Sequence, residues 1–417
     1  MAQLKGVIFS LRDVLAREGP VERALFDETI HLIRFLRSRG VTPVFASNHD
    51  WTVKTAEGVI GFKQWIEGVL GPVPYFVAAN GDMDWKPRAG AVQRILAAQG
   101  WTPREVLYVG NSETDMRTAR NGNVLFLNAL WHGEASLYGF RFQSPKDIAR
   151  YIDTLCLGLD RWFWTLERPG LRAYAMGPFT TMSPALAEAH AYSADARATS
   201  KFGIGDASFW GRLLAARVYF SGLVDEIEYI TSYPGHAPDS RDPVVAEALS
   251  ILADSLHKKY LPDLIIRHTK ASKSQSARIA GAAVGVENQI STIRLNRTPK
   301  KGLNGQPYVN NPLRSGKTVL VVDDICTQGN SFEGARAFLQ KAGAGAICLS
   351  WLKTINTDYR MIEGEPRRLV PDAYAPATVQ GTVPVTALSY AAHVTNPGAA
   401  SDLAQVHARY ARWEWPA

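Results

Sequence analysis

The chain has 417 residues, 46% hydrophobic and 20% charged, an ordinary globular composition with length enough for two α/β domains. Its 46 Lys and Arg against 39 Asp and Glu give a net charge of +7. No dense Lys/Arg run interleaved with aromatics accompanies that charge, so an anionic small ligand fits better than a nucleic acid, and a plain solubility margin fits equally.

The three cysteines, Cys156, Cys326 and Cys348, form no CxxC or Cys/His cluster, which argues against a disulfide framework and a structural zinc. The opening MAQLKGVIFSL soon meets Arg12 and Asp13, so it reads as a first strand rather than a signal peptide. No apolar stretch is long enough to span a bilayer, and a cytoplasmic protein without membrane contact is expected. Residues 6–9 read as a buried strand, and 21–39 as an amphipathic helix closed by Gly40. Residues 41–46, 106–109 and 124–128 are further strands, and 145–155 a closing helix. Alternating strands and helices predict a parallel sheet with active groups at strand C-terminal ends, in a first domain over 1–155.

Residues 161–200 are irregular and aromatic-rich. Trp162, Trp164, Tyr174, Phe179 and Tyr192 there could stack a base or form a core. A helix is expected over 209–220. A second α/β unit follows, with strands at 226–231, 264–267, 318–322 and 346–352, and helices at 243–260, 274–284 and 329–342. The Pro/Ala/Gly-rich 371–400 reads as an extended arm, and 403–413 as a final helix.

Thr318 to Val322 is expected to end at the acidic pair Asp323-Asp324. Ile325-Cys326-Thr327-Gln328-Gly329-Asn330-Ser331 then turns into a helix. Backbone N–H groups at such a turn form an anion nest, and the helix dipole adds positive potential. Gly329 admits close approach, the Thr327 and Ser331 hydroxyls can donate, and two carboxylates can accept from vicinal ribose hydroxyls. This string resembles the hallmark of the type I phosphoribosyltransferases. The resemblance implies that Asp323 and Asp324 hold the ribose of phosphoribosyl pyrophosphate, with Mg²⁺ near them through substrate, while Thr327, Gln328, Gly329, Asn330 and Ser331 hold its 5′-phosphate.

Within that family, residues 201–352 resemble the ComF-like branch. Lys201-Phe202-Gly203, Ile230-Thr231-Ser232-Tyr233-Pro234-Gly235-His236 and Lys270-Ala271-Ser272-Lys273-Ser274-Gln275 carry the likeness. By resemblance Ser232, Tyr233 and Gly235 become pyrophosphate contacts. Arg241, Arg267, Lys270 and Lys273 are spaced to supply positive charge to a pyrophosphate, and each alone also fits a solvated surface charge. His236 could reach phosphate or serve as a structural hydrogen-bonder. The implied domain, 156–417, has a hood at about 160–225, a core at about 226–355 and a C-terminal arm and helix at 356–417.

The first domain resembles the haloacid dehalogenase-like (HAD) phosphatases. The likeness rests on Val7 to Leu15, Phe45-Ala46-Ser47-Asn48, Lys86-Pro87 and Tyr108 to Asp115. That family needs an aspartate nucleophile, a second aspartate two residues on and a carboxylate pair for Mg²⁺. Here those positions hold Ser10, Arg12 and Asn111, with Asp115 and Lys86 retained. A shifted nucleophile at Asp13 would lie in the following turn. The expectation is a catalytically dead phosphatase fold with Arg12 in the place of Mg²⁺. Ser47, Asn48 and Lys86 would keep an anion subsite, or the domain would dock a partner or a second copy.

Together the motifs imply two Rossmann-like parallel-sheet α/β domains. They point to Mg²⁺-dependent transfer or cleavage at the ribose C1′, or to a non-turnover sensor of phosphoribosyl pyrophosphate or a nucleotide. An active phosphatase is disfavoured by Ser10 and Arg12, and the acceptor base is unassigned.

Overall fold

Val7-Ile8-Phe9 and Val106-Leu107-Tyr108-Val109 are apolar on both faces, the pattern of parallel strands covered by helices on each side. The computed structural model, which describes residues 1–15, 17, 22–133, 136, 138–158, 161–238, 243–271 and 285–416, folds them so. In chain order come β1 (Gly6–Ser10), α1 (Arg23–Ser38), β2 (Thr42–Ser47), the hairpin β3 (Thr52–Thr55) and β4 (Gly58–Gly61), and α2 (Phe62–Leu70). They are followed by β5 (Tyr75–Val77), α3 (Ala89–Gln99), β6 (Val106–Gly110), α4 (Glu113–Asn121), β7 (Leu125–Ala129), β8 (Phe140–Phe142) and α5 (Pro145–Tyr151). The sheet runs β5-β2-β1-β6-β7-β8, parallel throughout. Strand order reverses between β1 and β6, which opens a crevice at their C-terminal ends. The closing helix is not α-helical throughout, since Ile152–Cys156 widen into a π turn.

The second half contains β9 (Trp164–Arg168), β10 (Leu171–Phe179), α6 (Ala189–Phe202), α7 (Ala207–Phe220), α8 (Leu223–Glu226), β11 (Tyr229–Ser232) and α9 (Pro243–Ser255). Next are β12 (Lys259–Tyr260), β13 (Ile265–Arg267), α10 (Val286–Ile290), β14 (Ile293–Leu295), β15 (Thr318–Cys326) and α11 (Asn330–Lys341). The remainder is β16 (Gly345–Thr354), β17 (Tyr359–Ile362), β18 (Val385–Leu388) and α12 (Ala399–Ala411). The sheet order is β12-β11-β15-β16-β10-β9, parallel except for the antiparallel edge strand β9. Here the order reverses between β11 and β15.

Several expectations are corrected. Residues 160–225 do not stand apart as a hood, because they supply β9 and β10 to the main sheet. Trp162, Trp164, Tyr174 and Tyr192 are buried, so of their two readings the core holds. Residues 223–226 form the short helix α8, where Arg172 Nη2 donates to Glu226 Oε1 at 3.0 Å, and the strand starts later, at Tyr229. β13 pairs antiparallel with β14 and stands outside the main sheet. The stretch 371–400 is no free arm: β18 pairs with β17, and Ala373, Ala377, Val383 and Leu388 are buried with Phe338 of α11. The helix expected over 274–284 lies outside the described residues.

One apolar core joins the halves, running from Val7 and Leu36 through Leu213 and Leu249 to Trp413. Among the described residues no helix is long and apolar enough to cross a membrane.

Candidate functional site

At the first crevice, β1 delivers Ser10, buried to 1% exposure. Lys86 Nζ donates to Ser10 Oγ at 3.0 Å, Asp115 Oδ1 at 2.9 Å and Tyr108 Oη at 3.3 Å, and Tyr108 Oη donates to Asp115 Oδ1 at 3.1 Å. Asp115 Oδ2 accepts from Ser112 Oγ at 2.7 Å, so both carboxylate oxygens are engaged. Burial alone would raise the Asp115 carboxyl, but the Lys86 ammonium and the Ser112 hydroxyl outweigh it and hold it below its ordinary value. Burial, then the Asp115 charge, pushes the Tyr108 hydroxyl well above the usual tyrosine range.

Asn48 pins the backbone of Lys86, accepting from Lys86 N at 2.7 Å and donating to Lys86 O at 3.3 Å. Ser47 is buried at the end of β2. Asn111 Nδ2 donates to the carbonyls of Ala129 and Gly133, each at 2.7 Å, a structural commitment. Arg12 does not take the place expected of it. Its side chain is 66% exposed, with Nε 3.8 Å from Asp13 Oδ2, and the cation facing Asp115 is Lys86. A cluster of one carboxylate already paired to an ammonium does not fit Mg²⁺. Among the described residues no three His, Cys, Asp or Glu side chains group to hold a metal.

The second crevice is built differently. β11 and β15 are parallel neighbours with Ser232 opposite Val322. β15 runs on beside β16, pairing Asp323 with Ser350, Ile325 with Leu352 and Cys326 with Lys353. The strand therefore passes through the acidic pair instead of ending before it. β11 stops opposite Val322, four residues before β15 ends, which leaves a step where the half-buried Asp323 and Asp324 lie beside the 233–235 loop. Burial, reinforced by the Asp324 charge, raises the Asp323 carboxyl well above its ordinary value. Asp324 Oδ2 accepts from Ser200 Oγ at 2.7 Å, and Oδ1 from the Ile325 N–H at 2.8 Å.

Gly329 is the N-cap of α11 with φ 77°. A Cβ on Gly329 would lie 2.0 Å from the Tyr359 ring, so glycine is required by conformation and by contact. Thr327 Oγ1 lies 3.1 Å from Thr354 Oγ1, the Gln328 carbonyl accepts from the Arg360 N–H at 2.9 Å, and Ser331 hydrogen-bonds Asp323. The N–H groups of Asn330 and Ser331 open the helix, where no intrahelical acceptor exists. Thr327 to Ser331 are thus gathered into one turn beside the acidic pair.

The residues expected on the pyrophosphate side divide. Ser232 Oγ lies 3.1 Å from Tyr260 Oη, and Tyr233 Oη donates to Gln289 Oε1 at 2.7 Å. Gly235 presents its carbonyl to Arg267 Nε. Arg267, expected to face pyrophosphate, is instead buried behind that loop, where it also donates to Gln289 Oε1 at 3.0 Å and Thr292 Oγ1 at 2.6 Å. Lys270 and His236 are exposed. Arg241 and the segment Ser272, Lys273, Ser274 and Gln275 lie outside the described residues.

Sequence reasoning missed Ser200, Lys353 and the exposed Met182 and Ile204, and read the exposed Phe202 only as part of the Lys201-Phe202-Gly203 likeness. Met182, Phe202 and Ile204 follow β10 and close α6, at the sheet edge where Ser200 reaches Asp324. Ser200 precedes that likeness without belonging to it, and only the fold brings it to the acidic pair.

No family model matches the chain, and no curated protein matches it. Solved structures resemble part of it. A HAD-superfamily hydrolase, subfamily IA, variant 1, from Geobacter sulfurreducens is 17% identical over 35% of this chain and 97% of its own, with a TM-score of 0.26. A HAD-superfamily hydrolase from Ehrlichia chaffeensis is 16% identical over 37% of this chain and 98% of its own, with a TM-score of 0.25. The cobalt-bound deoxy-D-mannose-octulosonate 8-phosphate phosphatase of Haemophilus influenzae is 16% identical over 30% of this chain and 69% of its own, with a TM-score of 0.23. The likeness is one of fold in about a third of the chain, and it carries no activity to it.

Proposed function

We propose that the second half binds phosphoribosyl pyrophosphate or a ribose 5-phosphate ligand and catalyses transfer or cleavage at the ribose C1′. The observation that carries this is the convergence at one strand-order reversal of the acidic pair Asp323-Asp324, the N-terminus of α11 behind Gly329, and the 233–235 loop. In this reading α11 and the Thr327–Ser331 turn hold the 5′-phosphate. Asp323 and Asp324 accept from the ribose hydroxyls, orienting C1′ toward an incoming nucleophile. The C1′–O bond to pyrophosphate breaks as a base nitrogen, or water, forms the new bond.

Two half-buried carboxylates suit a Mg²⁺ that arrives on the ligand's pyrophosphate and do not make a cage of their own; bound so, it would neutralise the leaving group. The exposed Met182, Phe202 and Ile204 would face the acceptor. The first half is then an inactive phosphatase-like module whose Lys86–Asp115 pair is structural, serving to dock a partner or a second copy.

The Ser200 bond to Asp324 favours a second reading, a sensor without turnover. That bond ties Asp324 to α6, so a ribose hydroxyl that takes the place of Ser200 would shift α6 without any bond at C1′ breaking. The test is to incubate the protein with phosphoribosyl pyrophosphate, Mg²⁺ and a panel of bases. Pyrophosphate release that Asp323→Asn abolishes supports the transferase, saturable binding without release supports the sensor, and no binding removes both.

A further inference from the structure

Lys353 stands at the end of β16, fully buried at 0% exposure, opposite Cys326 in the ladder. Its Nζ donates to three backbone carbonyls: Thr327 at 2.6 Å, Thr357 at 2.5 Å and Thr354 at 3.3 Å. The rings of Trp164 and Tyr390 flank it, each centroid 5.5 Å from Nζ. All three ammonium protons thus go to neutral oxygens, where a buried lysine more often meets a carboxylate.

A trans peptide sends its C=O and the following N–H in opposite directions. Drawing the Thr327 carbonyl back toward β16 turns the Gln328 N–H to the other side, away from the sheet. Meanwhile Thr354 and Arg360 hold the Thr327 hydroxyl and the Gln328 carbonyl. We propose that Lys353 is a positioning residue for the Thr327–Ser331 turn: from behind the loop its ammonium presents the loop's N–H groups to an anion in front and adds positive potential at that site. This rests on the ribose 5-phosphate reading, and supplies what that reading lacked, a buried cation facing the phosphate site through the backbone.

The charge state of Lys353 has a consequence. Burial lowers its pKa, while Cys326 from β15 and Asp358 from the turn after β16 oppose that effect. The Cys326 thiol is pushed up to about 11 and the Tyr390 hydroxyl to about 12, so neither neighbour ionises before the amine. An anionic ligand favours the ammonium form. Affinity is therefore full below the depressed lysine value and lost as pH rises through it.

The test uses the full chain and ribose 5-phosphate. Lys353→Met should weaken binding about tenfold or more, speed amide exchange over 326–332, leave exchange in the first sheet unchanged, and remove the alkaline loss of affinity. A folded Lys353→Met protein with wild-type affinity overturns the inference and leaves the binding reading standing. If that variant does not fold, the wild type decides. Its affinity should fall with rising pH already below the ordinary lysine value, with proton uptake on binding, and a flat profile without uptake overturns the inference. A wild type that binds no ribose 5-phosphate at any pH sinks the binding reading itself, and the positioning role with it.

Discussion

At the scale of residues, the two crevices show the same chemistry put to opposite uses. In the first, Lys86 and Asp115 are both nearly dry and 2.9 Å apart. Removing one partner leaves an uncompensated charge, so Lys86→Met should cost about 3–5 kcal/mol in urea unfolding, and Lys86→Met with Asp115→Leu should recover most of that loss. Asp115 is held below its unfolded value, so its contribution is present above about pH 4 and lost as pH falls below that, and the pH profile of Tm should show it. Equal stability of Lys86→Met and wild type at pH 7 would show the pair to be idle. In the second crevice Asp323 lies against Asp324, and burial, reinforced by the Asp324 charge, raises Asp323 instead. In the proposed reading that pair awaits a hydroxyl or a cation.

At the scale of elements, β15 and α11 carry the account. Gly329→Ala would force a positive φ on alanine and drive Cβ into the Tyr359 ring. It should cost about 2 kcal/mol or more and weaken ribose 5-phosphate binding about tenfold. An alanine variant as stable and as tight as wild type would mean that the turn is not held as described. This element was legible in the sequence, because an apolar run, an acidic pair and a Thr/Gly/Ser turn sit within thirteen consecutive residues. The parallel strands β1, β2, β6 and β7 were legible for the same reason, being short apolar runs bounded by turn residues.

What was not legible depends on pairing across long separations. β9 and β10 lie in an aromatic-rich stretch whose strand character comes from β16, far along the chain. β8 has three residues, too few for a period. The inward turn of Arg267 and the outward turn of Arg12 are invisible in sequence, where Arg12 reads as a cation in the metal's place and Arg267 as charge beside a pyrophosphate or on the surface. Lys353 was missed because a lone lysine ending an apolar run looks like a solvated strand terminus.

At the scale of the whole molecule, the halves are tied by contacts that are polar as well as apolar. Arg104 meets Asp225 through two hydrogen bonds, at 3.1 and 2.9 Å, and Tyr219 Oη donates to the Val106 carbonyl at 2.6 Å. Asp153, beside α5, accepts from Arg409 Nη2 at 2.7 Å and Trp413 Nε1 at 2.8 Å, while Trp415 stacks on His31 of α1 at 4.1 Å. With a continuous core beneath, both sheets should unfold in one calorimetric transition, and Asp153→Ala should lower its midpoint; two well-separated transitions would show that the halves are independent.

The central claim is that the crevice of the second sheet, and not that of the first, is the ligand site. Titration calorimetry with phosphoribosyl pyrophosphate and Mg²⁺ tests it most directly. The expected result is saturable binding that Asp323→Asn reduces at least tenfold and Ser10→Ala leaves unchanged. No binding, or binding lost on Ser10→Ala and kept on Asp323→Asn, would contradict it.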